Sequence, residues 1–166
     1  LRYPLHPRLA VLIEEAARQG IGPMGCEAAA ILSERDIVPT QERDAAPRAT
    51  SASDLEDRID LLHAARSSRG HAQQLDRGAL DPGSMHAVKR LANQLQGLLP
   101  AKARNENNPE AATTALRRSL LAAYPDHVAQ RRGQSDLLLQ AQGGEIRLSP
   151  LSAVHKAPWL VALNAA

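Results

Sequence analysis

The sequence predicts a mainly α fold, a helical bundle that gives way near its C-terminal end to the first strands of an incomplete β domain. Three observations carry that expectation. Up to residue 123, apolar residues recur at helical spacing between proline, glycine and capping signals; beyond residue 134 they fall in short runs broken by Gly and Pro. Aromatic residues are scarce, with two Tyr, one Trp and no Phe in 166 residues. The core must then be built from Leu, Ala, Val and Ile, which suits helices packed closely through small side chains. The third observation is the stretch Leu121 to Gly133 between the two regimes. Pro125 cannot continue a helix arriving from Leu116 and Leu120, because it lacks an N–H and clashes with the preceding turn.

Taken in order, Pro7 occupies the first position of a helix in which Leu9, Leu12, Ile13 and Ala16 share a face, and Gly20 stops the run. Pro23 starts a second helix through Leu32 that is apolar on nearly every side except Glu27, so it should be buried. Residues 34–52 show no period and read as a long loop. Ser53 with Glu56 forms a capping-box pattern before a third helix whose Leu55, Ile59 and Leu62 share a face. The stretch from Arg66 to His71 reads as loop or frayed helix. A fourth helix begins near Asp81-Pro82 or Ser84 and carries the clearest stripe in the chain: Val88, Leu91, Ala92, Leu95, Leu98 and Leu99. A polar linker over residues 100–107 leads to Asn108-Pro109, which should cap and open a fifth helix with Ala112, Leu116, Leu120 and Ala123 inward. At the joint, Pro125 suits the start of a short helix with Asp126 in its first turn. Arg131 and Arg132 then fall in the last turn, where the helix dipole favours cations, and Gly133 closes it. Residues 136–141 and 145–148 read as a β-hairpin turning at Gln142-Gly-Gly, and Trp159–Leu163 as a third strand. Base-stacking OB surfaces carry exposed aromatics and only Trp159 is available here, but its apolar neighbours Leu160 and Val161 favour a buried core position over a platform. The expected division is a helical bundle over 1–123, a junction helix over 124–133 and the start of the β domain over 134–166.

Bulk properties narrow the function. A single Cys26 leaves no disulfide framework and no cysteine-based zinc site, which predicts a reducing, cytoplasmic setting. No run approaches 18 apolar residues and no signal peptide is visible, so a membrane partner is not expected. The chain opens on Leu1 rather than Met and stops at Ala166 directly after a strand-like run; it reads as a piece of a longer protein. Net charge is only +2, but residues 27–60 hold nine acids against four bases, while residues 61–135 hold eleven Lys and Arg against five acids. A basic half beside an acidic half points to a polyanionic partner, with ordinary solvated helix faces as the plainer reading.

Signatures of catalysis are missing. There is no Gly-x-x-x-x-Gly-Lys-Ser/Thr phosphate loop and no Gly-x-Ser-x-Gly elbow. The six histidines are scattered without metal-ligand spacing, so no metal site is expected. Cys26 reads as a small core residue, and the carboxylates Asp57 and Asp60 as solvated charge beside Arg58.

Three stretches together resemble one family. Tyr3-Pro-Leu-His-Pro-Arg-Leu-Ala10 is similar to the signature that follows the winged-helix domain in bacterial HrpB-type ATP-dependent helicases, relatives of the DEAH-box RNA helicases. Ala28-Ala-Ala-Ile-Leu-Ser-Glu-Arg-Asp36 resembles that family's Ala-rich helix, and Ala123-Tyr-Pro-Asp-His-Val-Ala-Gln-Arg-Arg-Gly133 its Tyr-Pro-Asp … Arg-Arg run, with His127 where the family usually has Arg. The resemblance spans about residues 1–164. It implies a helicase-associated, ratchet-like helical bundle followed by the start of an OB-like β domain. ATP and Mg would belong to motor domains outside this segment, which itself holds no cofactor and guides single-stranded nucleic acid, RNA in the first instance. Partners would be that strand and the parent's own motor domains. The candidate contacts are Arg131 and Arg132 at the joint, Arg117 and Arg118 on the fifth helix, and Lys89 and Arg90 on the fourth. Against this stands a helical protein–protein docking module with no nucleic-acid contact, in which Arg131 and Arg132 serve the helix end or pair with Asp126 or Asp136.

Overall fold

Proline and glycine set the limits of the first two helices. Helix α1 runs Pro7–Arg18, with Pro7 in its first turn and the His6 ring accepting the Arg8 N–H (3.4 Å), and it buries Leu9, Leu12, Ile13 and Ala16. Helix α2, Gly22–Ser33, is buried along most of its length. The two meet at backbone distance: a Cβ added at Gly25 would sit 2.4 Å from the Ala16 methyl. A core without Phe closes in this way, by letting helix backbones approach where larger side chains would hold them apart. The computed structural model describes residues 3–34, 37, 50–67, 81–104, 111–133 and 135–163. Most of the expected 34–52 loop, the stretch 68–71 and the Asn108-Pro109 cap lie outside the described residues.

Helix α3, Asp54–Ser67, starts as its capping residue predicts, the Ser53 hydroxyl accepting the Glu56 N–H (3.3 Å). Helix α4, Pro82–Leu98, is capped by the Asp81 carboxylate on the Ser84 N–H (2.6 Å). Val88, Ala92, Leu95 and Leu99 of the expected stripe are buried, while Leu98 turns outward. Helix α5, Ala112–Ala123, turns Ala112, Leu116, Leu120 and Ala123 inward. Helix α2 is the centre of the bundle, packed by α1, α3 and α4, and α5 lies against α1.

The junction helix expected over 124–133 does not form. Pro125–His127 makes one 3-10 turn, and Val128–Arg131 continues as strand β1. The physical reason is pairing. As a strand this segment satisfies its backbone on two sides, against β2 (Leu137–Gln140) and β4 (Trp159–Val161), and seals Ala129 away from water. A single helical turn offers neither. Strand β3, Glu145–Arg147, completes an antiparallel sheet of order β3-β2-β1-β4. The expected hairpin is present, turning through Gly143 at φ 91°, a left-handed conformation suited to glycine.

Polar contacts fasten the sheet to the bundle. The Arg8 guanidinium forks onto the Asp126 carboxylate, with Nη2 to Oδ2 at 2.7 Å, and lies over the Tyr124 ring at 5.5 Å. The His127 ring packs edge-on to Tyr124 and its Nδ1 meets the Ala162 carbonyl at 2.8 Å, so Nδ1 carries the proton. Farther off, the Asp54 carboxylate accepts the Ser152 hydroxyl (2.6 Å) and the Ala153 N–H (2.8 Å), while the Ala153 carbonyl accepts the Ser51 N–H (2.9 Å).

Candidate nucleic-acid interface

Alternation along β1 sends neighbouring residues to opposite faces of the sheet, and this separates the two arginines of the joint. Arg131 is on the inner side with Ala129. Its guanidinium donates to three carbonyls: Nη2 to Val154 (2.7 Å), Nη1 to Ser135 (3.0 Å) and Nε to Ala157 (3.1 Å). It thereby pins the β3–β4 connection to the edge of the sheet. Arg132 extends the ladder by donating its N–H to the Leu137 carbonyl (3.0 Å), and its side chain is exposed. Asp126 is engaged by Arg8, which is the first cause holding its carboxyl well below the usual range, to about 2.

The other basic candidates divide in the same way. Arg117 holds Glu56 with both ends of its fork (2.7 and 2.8 Å), tying α5 to α3, and that hydrogen bond raises its pKa further. Glu56 is therefore spent on Arg117 rather than on closing a capping box. Arg118 on α5 and Arg90 on α4 are exposed, and Lys89 is half-buried. Helix α4 packs mainly on α2, and α5 mainly on α1 with a smaller contact to α2.

The outer face of the sheet is where exposed groups collect. Directly paired residues share a face, so Trp159, Gln130, Leu139 and Glu145 form one row across all four strands. One step along, Arg132, Leu137 and Arg147 form a second row. All of these are exposed except Leu139, which is half-buried. Trp159 corrects the expectation of burial: it is 59% exposed. The reason is the two-residue period. In Trp159-Leu160-Val161 only Leu160 is opposite buried Ala129, while Trp159 pairs with exposed Gln130. At the Val161 end the outer face meets the helical core, and toward Trp159 it is open. Lys156, in the connection before β4, is exposed as well.

The sequence reading passed over Arg147 and assigned Trp159 to the core rather than to a platform. The alternation Glu145-Ile146-Arg147 was the available signal for Arg147. A second cluster was also missed: Glu27, 4% exposed on α2, takes the His63 Nε2 at 2.6 Å and the Arg66 guanidinium from α3. His63 and Arg66, three apart, lie on one helix face, which suits joint service to one carboxylate. Buried Cys26 has its thiol pushed up to about 12, by burial first and the Glu27 charge second. Among the described residues no group of three or more His, Cys, Asp or Glu is placed to hold a metal ion, and no helix is long and apolar enough to cross a membrane. No protein-family model matches the chain, and no curated protein matches it in sequence.

Proposed function

We propose that the chain is the accessory C-terminal region of an ATP-dependent RNA helicase, binding and guiding single-stranded nucleic acid without a motor of its own. The observation that carries the proposal is the open sheet face, where exposed Arg132 and Arg147 flank an apolar strip on a surface fastened to a helical bundle. Cations spaced along a strand-like surface suit a polyanion that must move past. Support comes also from the resemblance to HrpB-type helicases, which implies this order of bundle, Tyr-Pro-Asp joint and sheet. In that reading the sheet is the start of an OB-like domain. ATP and Mg belong to the parent's motor domains, which with the nucleic acid are the partners, and the protein works in the cytoplasm. Of the six basic candidates, Arg132 is the one retained at the centre of the site. Arg90, Arg118 and Lys89 add long-range attraction, and Arg131 and Arg117 hold the frame.

A docking module without nucleic-acid contact is the second reading. Val11 and Leu121 favour it, since they are 47% and 48% exposed on the packed helices α1 and α5. The test is anisotropy of a labelled single-stranded RNA titrated with the chain at several salt concentrations. The helicase-accessory reading predicts binding that weakens log-linearly with salt. Replacing Arg132 and Arg147 by Ala should lower that slope by roughly 1.4 for two lost phosphate contacts on a single strand. No binding even at low salt would favour the docking module.

A further inference from the structure

An indole held out in water on a short strand has a cost, because its large apolar face goes unburied. Trp159 is the only Trp in the chain, and it is the most exposed large hydrophobic residue among those described. Gln130 is directly beside it on β1, with Leu139 one strand farther, and neither is bulky enough to cover the ring. The cations Arg132 and Arg147 lie one row along the same face, and Lys156 is three residues before the Trp. Acidic groups are present too: Glu145 ends the Trp row on β3, and Asp136 is exposed in the β1–β2 loop. In pairing order Arg132 is at the strand next to Trp159 and Lys156 is in the connection leading to it, while Arg147 is on the far edge strand β3 together with the carboxylate Glu145.

We infer that Trp159 is a base-stacking platform: one base of a single-stranded nucleic acid lies on its exposed ring, the adjoining phosphate meets Arg132, and the strand runs on across the sheet toward Arg147, three strand spacings or about 14 Å away. The inference rests on the nucleic-acid reading above and adds to it the base contact that phosphate attraction alone does not provide. Stacking is tolerant of sequence, because every base has a π-face, which suits a surface past which a strand must slide. The Gln130 amide on the strand beside it provides an NH2 donor group and a carbonyl acceptor for a base edge.

The chain's single Trp makes the test direct. Its intrinsic emission is followed while the chain is titrated with a ten-residue oligouridylate, and then with an abasic strand of the same length and charge. Anisotropy of end-labelled versions of both strands measures affinity in parallel. The expected result is saturable quenching of Trp159 by the oligouridylate at the concentrations where anisotropy saturates. The abasic strand should bind more weakly by roughly 5- to 150-fold. Trp159→Ala should lose a similar factor for oligouridylate and nothing for the abasic strand, with an unchanged circular dichroism spectrum because the ring supports little of the core. Trp159→Phe should recover part of the loss. Equal affinity for both strands with unchanged emission would overturn the stacking inference and leave nucleic-acid binding standing. Absence of binding by either strand would overturn both. A blue-shifted emission insensitive to acrylamide before any strand is added would mean that the face is already covered, and would overturn the platform as well.

Discussion

Arg131 and Arg132 are chemically identical neighbours, and the fold predicts opposite consequences for losing them. In Arg131→Ala the chain gives up three donated hydrogen bonds, of which those to Val154 and Ala157 are part-buried and that to Ser135 is exposed. A hydrogen bond involving a charged group contributes about 1.5–3 kcal/mol, and partial exposure discounts it. The two sheltered bonds together then contribute about 2–4 kcal/mol. For a chain of this size each kcal/mol lowers the Tm by about 2–4 °C, so Arg131→Ala should melt roughly 4–16 °C below the wild type. The β3–β4 connection should also exchange its amide protons faster, Val154 among them. Arg132→Ala, by contrast, removes an exposed side chain and keeps the backbone bond to Leu137. It should melt within about 2 °C of the wild type, since exposed substitutions usually stay within ±0.5 kcal/mol. Differential scanning calorimetry of the two variants decides the matter. Equal melting temperatures, or the larger loss in Arg132→Ala, would refute the assignment of Arg131 to the frame and Arg132 to the open face.

Leu95→Ala on α4 removes a fully buried side chain facing α2 and should lower unfolding free energy by about 2–5 kcal/mol; an unchanged urea midpoint would show that α4 is peripheral. The Arg8–Asp126 pair makes a pH-dependent contribution. Asp126 has its folded pKa depressed to about 2 from an ordinary 3.8, so its stabilisation is present above about pH 4 and is lost as pH falls toward 2. The gap in urea midpoint between wild type and Asp126→Asn should accordingly be open at pH 5 and close near pH 2; a gap that widens on acidification contradicts the pairing. Cys26, buried and with its thiol pushed up to about 12, should resist maleimide in the native state and react at the rate of unfolding as urea is added. Rapid labelling in buffer alone would place α2 nearer the surface than it is here.

Helix periodicity was legible because each helix buries one stripe against a neighbour, and the stripe is written at a spacing of three or four. The pattern alone places Val88, Ala92 and Leu95 inward and sets the limits at Pro7, Ser53 and Asp81-Pro82. The joint was misread for a local reason. Pro125 and Asp126 start a helical turn, and they do start one in the structure, but only for three residues. What ends it is the tertiary pairing of Val128–Arg131 with strands from residues 137 and 159 onward, partners that no local pattern announces. The same register decides Trp159: three apolar residues in a row look buried, and which one faces out depends on the residue opposite. The site was thus half legible. Paired arginines at 131 and 132 could be seen at the joint, but strand alternation, not helix geometry, turns Arg131 into the frame and leaves the Arg132 side chain exposed.

If the proposed function holds, the outer face of the sheet, and not the helical surface, receives a single strand of nucleic acid. A two-dimensional amide spectrum of the uniformly labelled chain, recorded while a ten-residue oligouridylate is added, tests it most directly. The indole N–H of Trp159 is the chain's only signal of its kind and needs no assignment by homology. This signal and the amides of Gln130, Arg132, Leu139 and Arg147 should shift together and saturate, while those of Val11 and Leu121 stay in place. Shifts centred on α1 and α5 with the Trp159 indole unmoved would contradict it.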